Sequence, residues 1–259
     1  MTKPHINTSA TALKALRVLE TVAASSQLVS VSEISDSMSV DKATVYRMLI
    51  TLTKAGYIVR DENSRKYKLG YKIVSLSRNL LAENEISRLV QQTLEQISIE
   101  TQETLHYSLL DGDETVLVQR VKGSQLVTVD FQIGDRSSLH CTAIGKVLLA
   151  FQDHRFIQKI IDAGLPKLAC NTITHPDEFR KELQRIRSEG YAIDNRELSD
   201  NMRCIAVPIF EGGGRIKSGI SISGPDSRFT LEKLSELKVP MMQASRRLSE
   251  QLGGVPWTE

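Results

Sequence analysis

The stretch from residue 30 to residue 69 restricts the fold of this chain most, because helix caps and turn residues follow one another there at fixed spacings. Ser30 and Glu33 have the S-x-x-E spacing of a capping box, which predicts a short helix. Asp41 is a good N-cap for a second helix, and Gly56 is a typical helix stop. Two short helices joined by a tight turn are typical of a helix-turn-helix.

A further helix precedes this pair, and a β-hairpin follows it. Apolar residues recur about every third position, as in an amphipathic helix, at Leu13, Leu16, Leu19 and Val22. Residues 57–70, YIVRDENSRKYKLG, have the pattern of a strand, a polar turn and a second strand. The combination predicts a winged helix-turn-helix. The alternative is a small helical packing module whose charges are merely solvated.

The second helix of the pair carries the residues expected to read DNA. Its apolar side, which should pack on the other helices, comprises Val45, Met48, Leu49 and Leu52. The DNA-facing candidates near its N-terminus are Lys42, Ala43, Thr44, Tyr46 and Arg47. Arg47 can contact a guanine edge, and Thr44 can reach a phosphate or a thymine methyl. At the hairpin tip, Arg65 and Lys66 should lie on phosphates or enter the minor groove.

The distribution of charge agrees with a polyanionic partner for this first part of the chain. Residues 1–80 hold 12 Lys and Arg against 6 Asp and Glu, a net charge of +6. Residues 81–259 hold 21 against 25, a net charge of −4. A basic segment attached to a mildly acidic body favours double-stranded DNA as the partner of the basic part.

Several stretches together resemble the IclR-type transcriptional regulators. They are LKALRVLE, SEISDSMSVDKATVYRMLITLTKAGYIVRD, YKLG, LHCTAIGKVLLA, EGYAIDNRE and MRCIAVPIF…SGISISGP, between about residues 10 and 250. The resemblance implies a regulator and not an enzyme, with a winged helix-turn-helix at 8–70, a linker helix at 71–85 and a GAF-like effector-binding domain at 86–255. We therefore expect a homodimer or homotetramer that binds a pseudo-palindromic operator, as a repressor of a catabolic pathway.

The pattern of the second part of the chain predicts an α+β domain. TLHYSLLDGDETVLVQRV predicts two strands joined by a turn, and LVTVDF, residues 126–131, predicts a third. Helices are expected at about 140–151, 155–163 and 176–189, and further strands at YAID, RCIAVPIF and RIKSGISIS. Strands and helices that alternate without regular βαβ units indicate an α+β fold.

The stretch LHCTAIGKVLLA, residues 139–150, is open to three interpretations. Its Gly-Lys pair lacks the remaining residues of a phosphate-binding loop. His140 and Cys141 are neighbours, which do not face each other on a helix. A thiol-dependent enzyme that uses Cys141 or Cys204 with a more distant base stays an alternative. A helix N-terminus with free N–H groups near Ala143 and Ile144 suits a carboxylate better.

The resemblance also implies which residues line the effector pocket. Matched position by position, they are Ala143, Ile144, Asp194, Met202, Cys204, Ser221 and Ser223. Ser221 and Ser223 alternate along one strand, so both hydroxyls can point the same way. His106, on the strand TLHYSLL, is a further candidate. The expected effector is a small carboxylic acid, and the methyl group of Ala143 should narrow its pocket.

Composition predicts neither a metal nor a cofactor. Cys141, Cys170 and Cys204 are too widely spaced for a zinc motif or a disulfide framework. The chain has no signal-peptide pattern and no apolar run of the roughly 20 residues that a membrane helix needs. We therefore expect a cytoplasmic protein with no membrane partner. A constitutive DNA-binding protein without an effector response is the remaining alternative.

Overall fold

The computed structural model describes residues 8–81 and 85–255. The chain divides into two compact units, Met1–Ala82 and Glu83–Glu259. The polar stretch 82–85, where the sequence predicts the domain boundary, lies largely outside the described residues. The α+β prediction for the whole chain is confirmed, because helices combine with an antiparallel sheet.

The first unit consists of helices followed by a two-stranded antiparallel hairpin and one more helix. In chain order these are α1 (Ala10–Ala23), α2 (Val31–Met38), α3 (Lys42–Lys54), β1 (Ile58–Arg60), β2 (Tyr67–Leu69) and α4 (Lys72–Leu81). The order is that of the predicted winged helix-turn-helix. α4 covers the described part of the predicted linker helix.

Local hydrogen bonds explain where the paired helices begin. The amide of Glu33 donates to the Ser30 hydroxyl over 3.3 Å, and the Ser30 amide donates to the Glu33 carboxylate over 2.6 Å. The predicted capping box is therefore present. Asp41 accepts from the Thr44 amide over 2.8 Å at the start of α3, which satisfies one of the free N–H groups of that helix.

The hairpin is attached to the helices through Val29. Val29 and Tyr67 exchange two backbone hydrogen bonds, of 2.9 and 2.7 Å. Asp61 closes the turn by accepting from both the amide and the hydroxyl of Ser64. The position of the hairpin tip therefore follows from contacts within this unit, whose core comprises Val18, Val22, Ile34, Val45, Met48, Leu49, Leu52, Ile58 and Tyr67.

The second unit is built on an antiparallel sheet with the strand order β5-β4-β3-β8-β7-β6. Its helices are α5 (Glu85–Thr101), α6 (Ala143–Ala150), α7 (His154–Ala163), α8 (Pro176–Glu189) and α9 (Leu231–Gln251). Its strands are β3 (Thr104–Asp111), β4 (Glu114–Val121), β5 (Arg136–Ser138), β6 (Ala192–Asn195), β7 (Met202–Glu211) and β8 (Arg215–Pro225). α6, α7 and α8 contribute to the core on one face of the sheet, and α5 and α9 to the core on the other.

The prediction of a strand at residues 126–131 is wrong. The strand that pairs with β4 at the sheet edge is β5, which places Glu114 opposite Ser138. Residues 122–135 form a loop instead, and the side chains of Leu126 and Val127 are exposed. Alternating apolar residues predicted a half-buried strand, but the position beside β4 is occupied by a different segment.

A buried ionic cluster holds α6 against the rest of this unit. The side chain of Lys146 is only 1% exposed, and its amine lies 2.5 Å from Glu197 and 3.1 Å from Glu182. The same amine donates to the carbonyl oxygen of Ile193 over 2.7 Å. All three of its hydrogens therefore have acceptors, as a buried ammonium group requires.

Replacing Lys146 with methionine should lower the free energy of unfolding by about 3–5 kcal/mol, because Glu197 would remain as a buried carboxylate without its cation. Lys159→Met is the matched control. Lys159 also lies 2.5 Å from a carboxylate, that of Asp113, but at the surface, so its loss should cost at most about 1 kcal/mol. Urea unfolding followed by circular dichroism measures both variants. Equal losses of unfolding free energy in the two variants would contradict the larger effect predicted for the buried ion pair.

Candidate functional site

The N-terminal half of α3 presents a polar face to solvent. Lys42, Ala43, Tyr46 and Arg47 are exposed, and Thr44 is half-buried. The predicted apolar residues of this helix are all buried. In the part of the chain that the structure describes, neither Lys42 nor Arg47 forms an ion pair, so both charges are available to a partner.

The tip of the hairpin presents the two predicted basic residues differently. Arg65 is exposed and adopts a left-handed backbone conformation, with φ of 57°. Lys66 lies 3.7 Å from the carboxylate of Glu33, which is also the capping residue of α2. Because both groups are largely solvated, this pair is weak, and a phosphate could replace Glu33 as the partner of Lys66.

A cavity lies in the second unit, and all eight predicted pocket residues line it. They are His106, Ala143, Ile144, Asp194, Met202, Cys204, Ser221 and Ser223. The structure thus brings together residues that are up to about a hundred positions apart in the sequence.

Strand register explains how four strands bring predicted residues to one cavity. Cys204 on β7 lies opposite Asp194 on β6 and opposite Ser223 on β8. Ser221 lies opposite His106 on β3. Because side chains two residues apart point to the same face, these groups all project from one side of the sheet.

The N-terminus of α6 forms another wall of the cavity. Thr142 caps the helix by accepting from the Gly145 amide over 2.9 Å. A Cβ atom at position 145 would lie 2.5 Å from the carbonyl oxygen of Ser138, so only glycine allows this approach. The amides of Ala143 and Ile144 belong to the first turn, where N–H groups lack partners within the helix.

Asp194 is the most buried ionisable group in the cavity, with 0% exposure. Its Oδ1 accepts from the Glu197 amide over 2.6 Å, whereas its Oδ2 has no hydrogen-bond partner. Burial raises the pKa of Asp194 to about 7. The cavity wall contains no lysine or arginine among the described residues, so Asp194 can be neutral near physiological pH.

His106 is 3% exposed, and its Nε2 atom also has no hydrogen-bond partner. Burial lowers the pKa of His106 to about 4, so its ring is neutral at pH 7. The ring of Phe131 meets that of His106 edge-on, with 5.7 Å between centroids. The Ser223 hydroxyl is likewise buried and unpartnered. Buried polar groups normally pair with protein or with ordered water, so these three atoms mark positions where water or a ligand can bind.

Eight further lining residues were not predicted. They are Ser108, Thr115, Leu117, Phe131, Asp135, Ser137, Thr142 and Leu198. The two-residue period from His106 could have indicated Ser108. Phe131 and Asp135 belong to the loop that replaces the predicted strand, and no pattern in the sequence places that loop over the cavity.

The thiols and His140 lack the features of a nucleophilic centre. Burial raises the pKa of Cys141 to about 11 and that of Cys204 further. The Nε2 atom of His140 lies 2.9 Å from the carbonyl oxygen of Pro166, and its Nδ1 lies 2.7 Å from the Ser138 hydroxyl. A carbonyl can only accept, so Nε2 carries the proton. Nδ1 then accepts from the Ser138 hydroxyl, so neither ring nitrogen of His140 bonds directly to a thiol.

In residues 8–81 and 85–255, no cluster of three or more His, Cys, Asp or Glu side chains could hold a metal ion. No helix within those ranges is both long enough and apolar enough to cross a membrane.

Comparison with known proteins identifies the family of each part of the chain. Residues 11–62 match the IclR helix-turn-helix domain, and residues 78–250 match the family described as bacterial transcriptional regulator IclR, C-terminal. The chain is 34% identical over 226 residues to the HTH-type transcriptional regulator KdgR of Escherichia coli K12, which covers 87% of this chain and 86% of that protein.

Two further relatives extend the comparison. The DNA-binding transcriptional repressor YiaJ of Escherichia coli K12 is 28% identical over 226 residues, covering 86% of this chain and 80% of that protein. The crystal structure of the Thermotoga maritima IclR has a TM-score of 0.78 and 32% identity, and covers 94% of this chain and 98% of that one. These relatives are transcriptional regulators and not enzymes. The chain itself therefore belongs to the IclR family of DNA-binding transcriptional regulators.

Proposed function

We propose that this cytoplasmic regulator represses transcription from a pseudo-palindromic operator, and that a small carboxylic acid in the cavity changes its affinity for that DNA. The observation that carries the effector part is the group of buried polar atoms without partners on the cavity wall. The same observation favours an effector response over constitutive DNA binding. The likeness to the repressor YiaJ supports repression.

Residues 8–70 are proposed as the DNA-binding domain. Arg47 would contact base edges in the major groove, with Lys42, Ala43, Thr44 and Tyr46 beside it. Arg65 and Lys66 would contact the backbone or the minor groove. The exposed, unpaired charges of Lys42 and Arg47 support this assignment.

Assembly into a homodimer or homotetramer is proposed because apolar side chains on the first unit lack a cover. Leu13 and Leu16 on α1 are about half exposed, and Tyr71, Val74 and Leu76 at or near the start of α4 are more so. A second copy would bury them. A symmetric dimer also suits a pseudo-palindromic operator.

The effector is proposed to bind with its carboxylate near the Ala143 and Ile144 amides. The partial positive charge of the α6 N-terminus favours an anion there, and a neutral Asp194 can donate a hydrogen bond to it. Ser221, Ser223, Met202, Cys204 and His106 would complete the contacts in the proposed effector-binding domain, residues 86–255. No cofactor is required.

Regulation requires that the acid bind the DNA-competent and DNA-incompetent arrangements with different affinity. The linker helix, residues 71–85, is proposed as the element that differs between the two arrangements. A linker that keeps the same spacing between DNA-binding domains when the acid binds would contradict this.

Arg47→Ala should weaken binding to a selected operator by about 10-fold to 100-fold, because a contact to a base edge is worth about 1–3 kcal/mol. Binding to random DNA should change much less. The matched control is Arg155→Ala, which removes the same charge from an exposed position in the second unit. The operator is the fragment that the protein selects from a random pool, and fluorescence anisotropy measures the affinities. Equal losses for selected and random DNA would refute base reading by Arg47.

Binding of a carboxylate should weaken as the pH rises above about 7, because the acid binds beside Asp194 in its protonated form. Ionising Asp194, whose pKa burial raises to about 7, places a second negative charge in the cavity. Each pH unit between the pKa of Asp194 in the ligand-free protein and its higher pKa in the complex should reduce the affinity about tenfold. Titration calorimetry between pH 6 and 9 with an acid found by thermal shift measures this, and Asp194→Asn should abolish the dependence. A pH-independent affinity in the unmodified protein would contradict the role of Asp194.

A further inference from the structure

A second polar region of the cavity lies far from Asp194. His106 is on β3, and Asp194 is on β6, three strands away in the order β3-β8-β7-β6. Neighbouring strands are about 4.8 Å apart, so the two positions are separated by about 14 Å across the sheet. Unpartnered buried atoms lie at both ends, Asp194 Oδ2 at one and His106 Nε2 at the other, and Ser223 Oγ on β8 lies between them.

Arg120 adds a positive charge to the His106 end. It lies opposite His106 in the pairing of β3 with β4, and its charge contributes to the lowered pKa of that histidine. Its side chain is only 13% exposed, and Nη1 lies 2.9 Å from the carboxylate of Asp130, which is 73% exposed. The Nε and Nη2 atoms of Arg120 are buried and have no hydrogen-bond partner.

A guanidinium with two buried, unsatisfied nitrogens is costly to maintain. Asp130 offsets the cost only in part, because it is largely solvated and reaches one nitrogen. Phe131, the next residue, stacks edge-on against His106 and shields that end of the cavity from water. Electrostatic attraction to an oxygen of the ligand is stronger in such a region than in water.

We infer that His106, with the charge of Arg120 beside it, forms a second subsite that binds an oxygen at the end of the effector opposite the carboxylate bound beside Asp194. The inference rests on the proposed acid-binding function and restricts the class of effector. The effector class is then a bifunctional acid, whose far end is a second carboxylate or a hydroxyl group. His106 contacts that oxygen, and Arg120 favours the anionic form of it. Monofunctional aliphatic acids would leave the Nε2 atom of His106 without a partner.

The test compares acids that share a carbon number and differ only at the far end. Each dicarboxylate from succinate to pimelate is paired with the corresponding monocarboxylate, and hexanoate is also compared with 6-hydroxyhexanoate. Titration calorimetry on the full chain gives the dissociation constants. For the chain length that binds best, the dicarboxylate should bind at least about tenfold more tightly than the monocarboxylate, which corresponds to one hydrogen bond to a buried charged group.

Variants separate the two ends of the cavity. His106→Leu should remove the preference for both the dicarboxylate and the hydroxy acid. Arg120→Met, which keeps the apolar stem, should reduce only the preference for the dicarboxylate. Asp194→Asn is the control from the other end, since it should change the affinities for the dicarboxylate and the monocarboxylate by the same factor. The comparison within the unmodified protein stands by itself if a variant fails to fold.

The outcomes are distinguishable. Equal affinity for dicarboxylates, hydroxy acids and monocarboxylates would overturn the second subsite and leave the proposed acid binding intact. Preferences that persist unchanged in His106→Leu would also overturn it. Failure of every acid to bind would overturn the proposed acid binding itself, together with the subsite.

Discussion

The buried amine of Lys146 joins parts of the second unit that are far apart in the sequence. It connects α6 to Glu182 on α8 and to Glu197 after β6, while the amide of Glu197 donates to Asp194. The orientation of Asp194 and the position of the α6 N-terminus are therefore fixed by the same cluster. Buried ion pairs add little net stability compared with apolar packing. Their effect here is to position Asp194 and the N-terminus of α6 at the cavity.

The cavity combines a polar wall with no cationic lining residue in the described part of the chain. A carboxylate there depends on backbone amides, hydroxyl groups and a protonated Asp194, which makes binding sensitive to the shape and protonation of the ligand. Such a site discriminates between ligands, because a ligand without the matching oxygen leaves a buried hydrogen-bond donor of the protein unpaired.

Local signals in the sequence were sufficient to predict the helices and the hairpin of the first unit. Its caps at Ser30 and Asp41 involve residues three positions apart, and the apolar face of α3 follows from helical periodicity. Ser221 and Ser223 were predictable in the same way from strand periodicity. The cluster around Lys146 was not predictable from the sequence. Glu197 lies 51 positions from Lys146, and only tertiary packing brings the two residues together. Residues 126–131 were predicted wrongly. Their alternating apolar residues predicted a strand at the edge of the sheet, but β5 occupies that position. Phe131 lines the cavity instead.

The central claim is that occupancy of the cavity controls DNA binding. The most direct measurement is the affinity of the full chain for its selected operator, with and without a saturating concentration of the acid that binds most tightly. The account predicts a change of roughly 5-fold to 150-fold, the usual scale of coupling between two sites, and no change when Asp194→Asn is combined with Ser223→Ala to prevent binding. An operator affinity that is identical with and without a bound acid would contradict it.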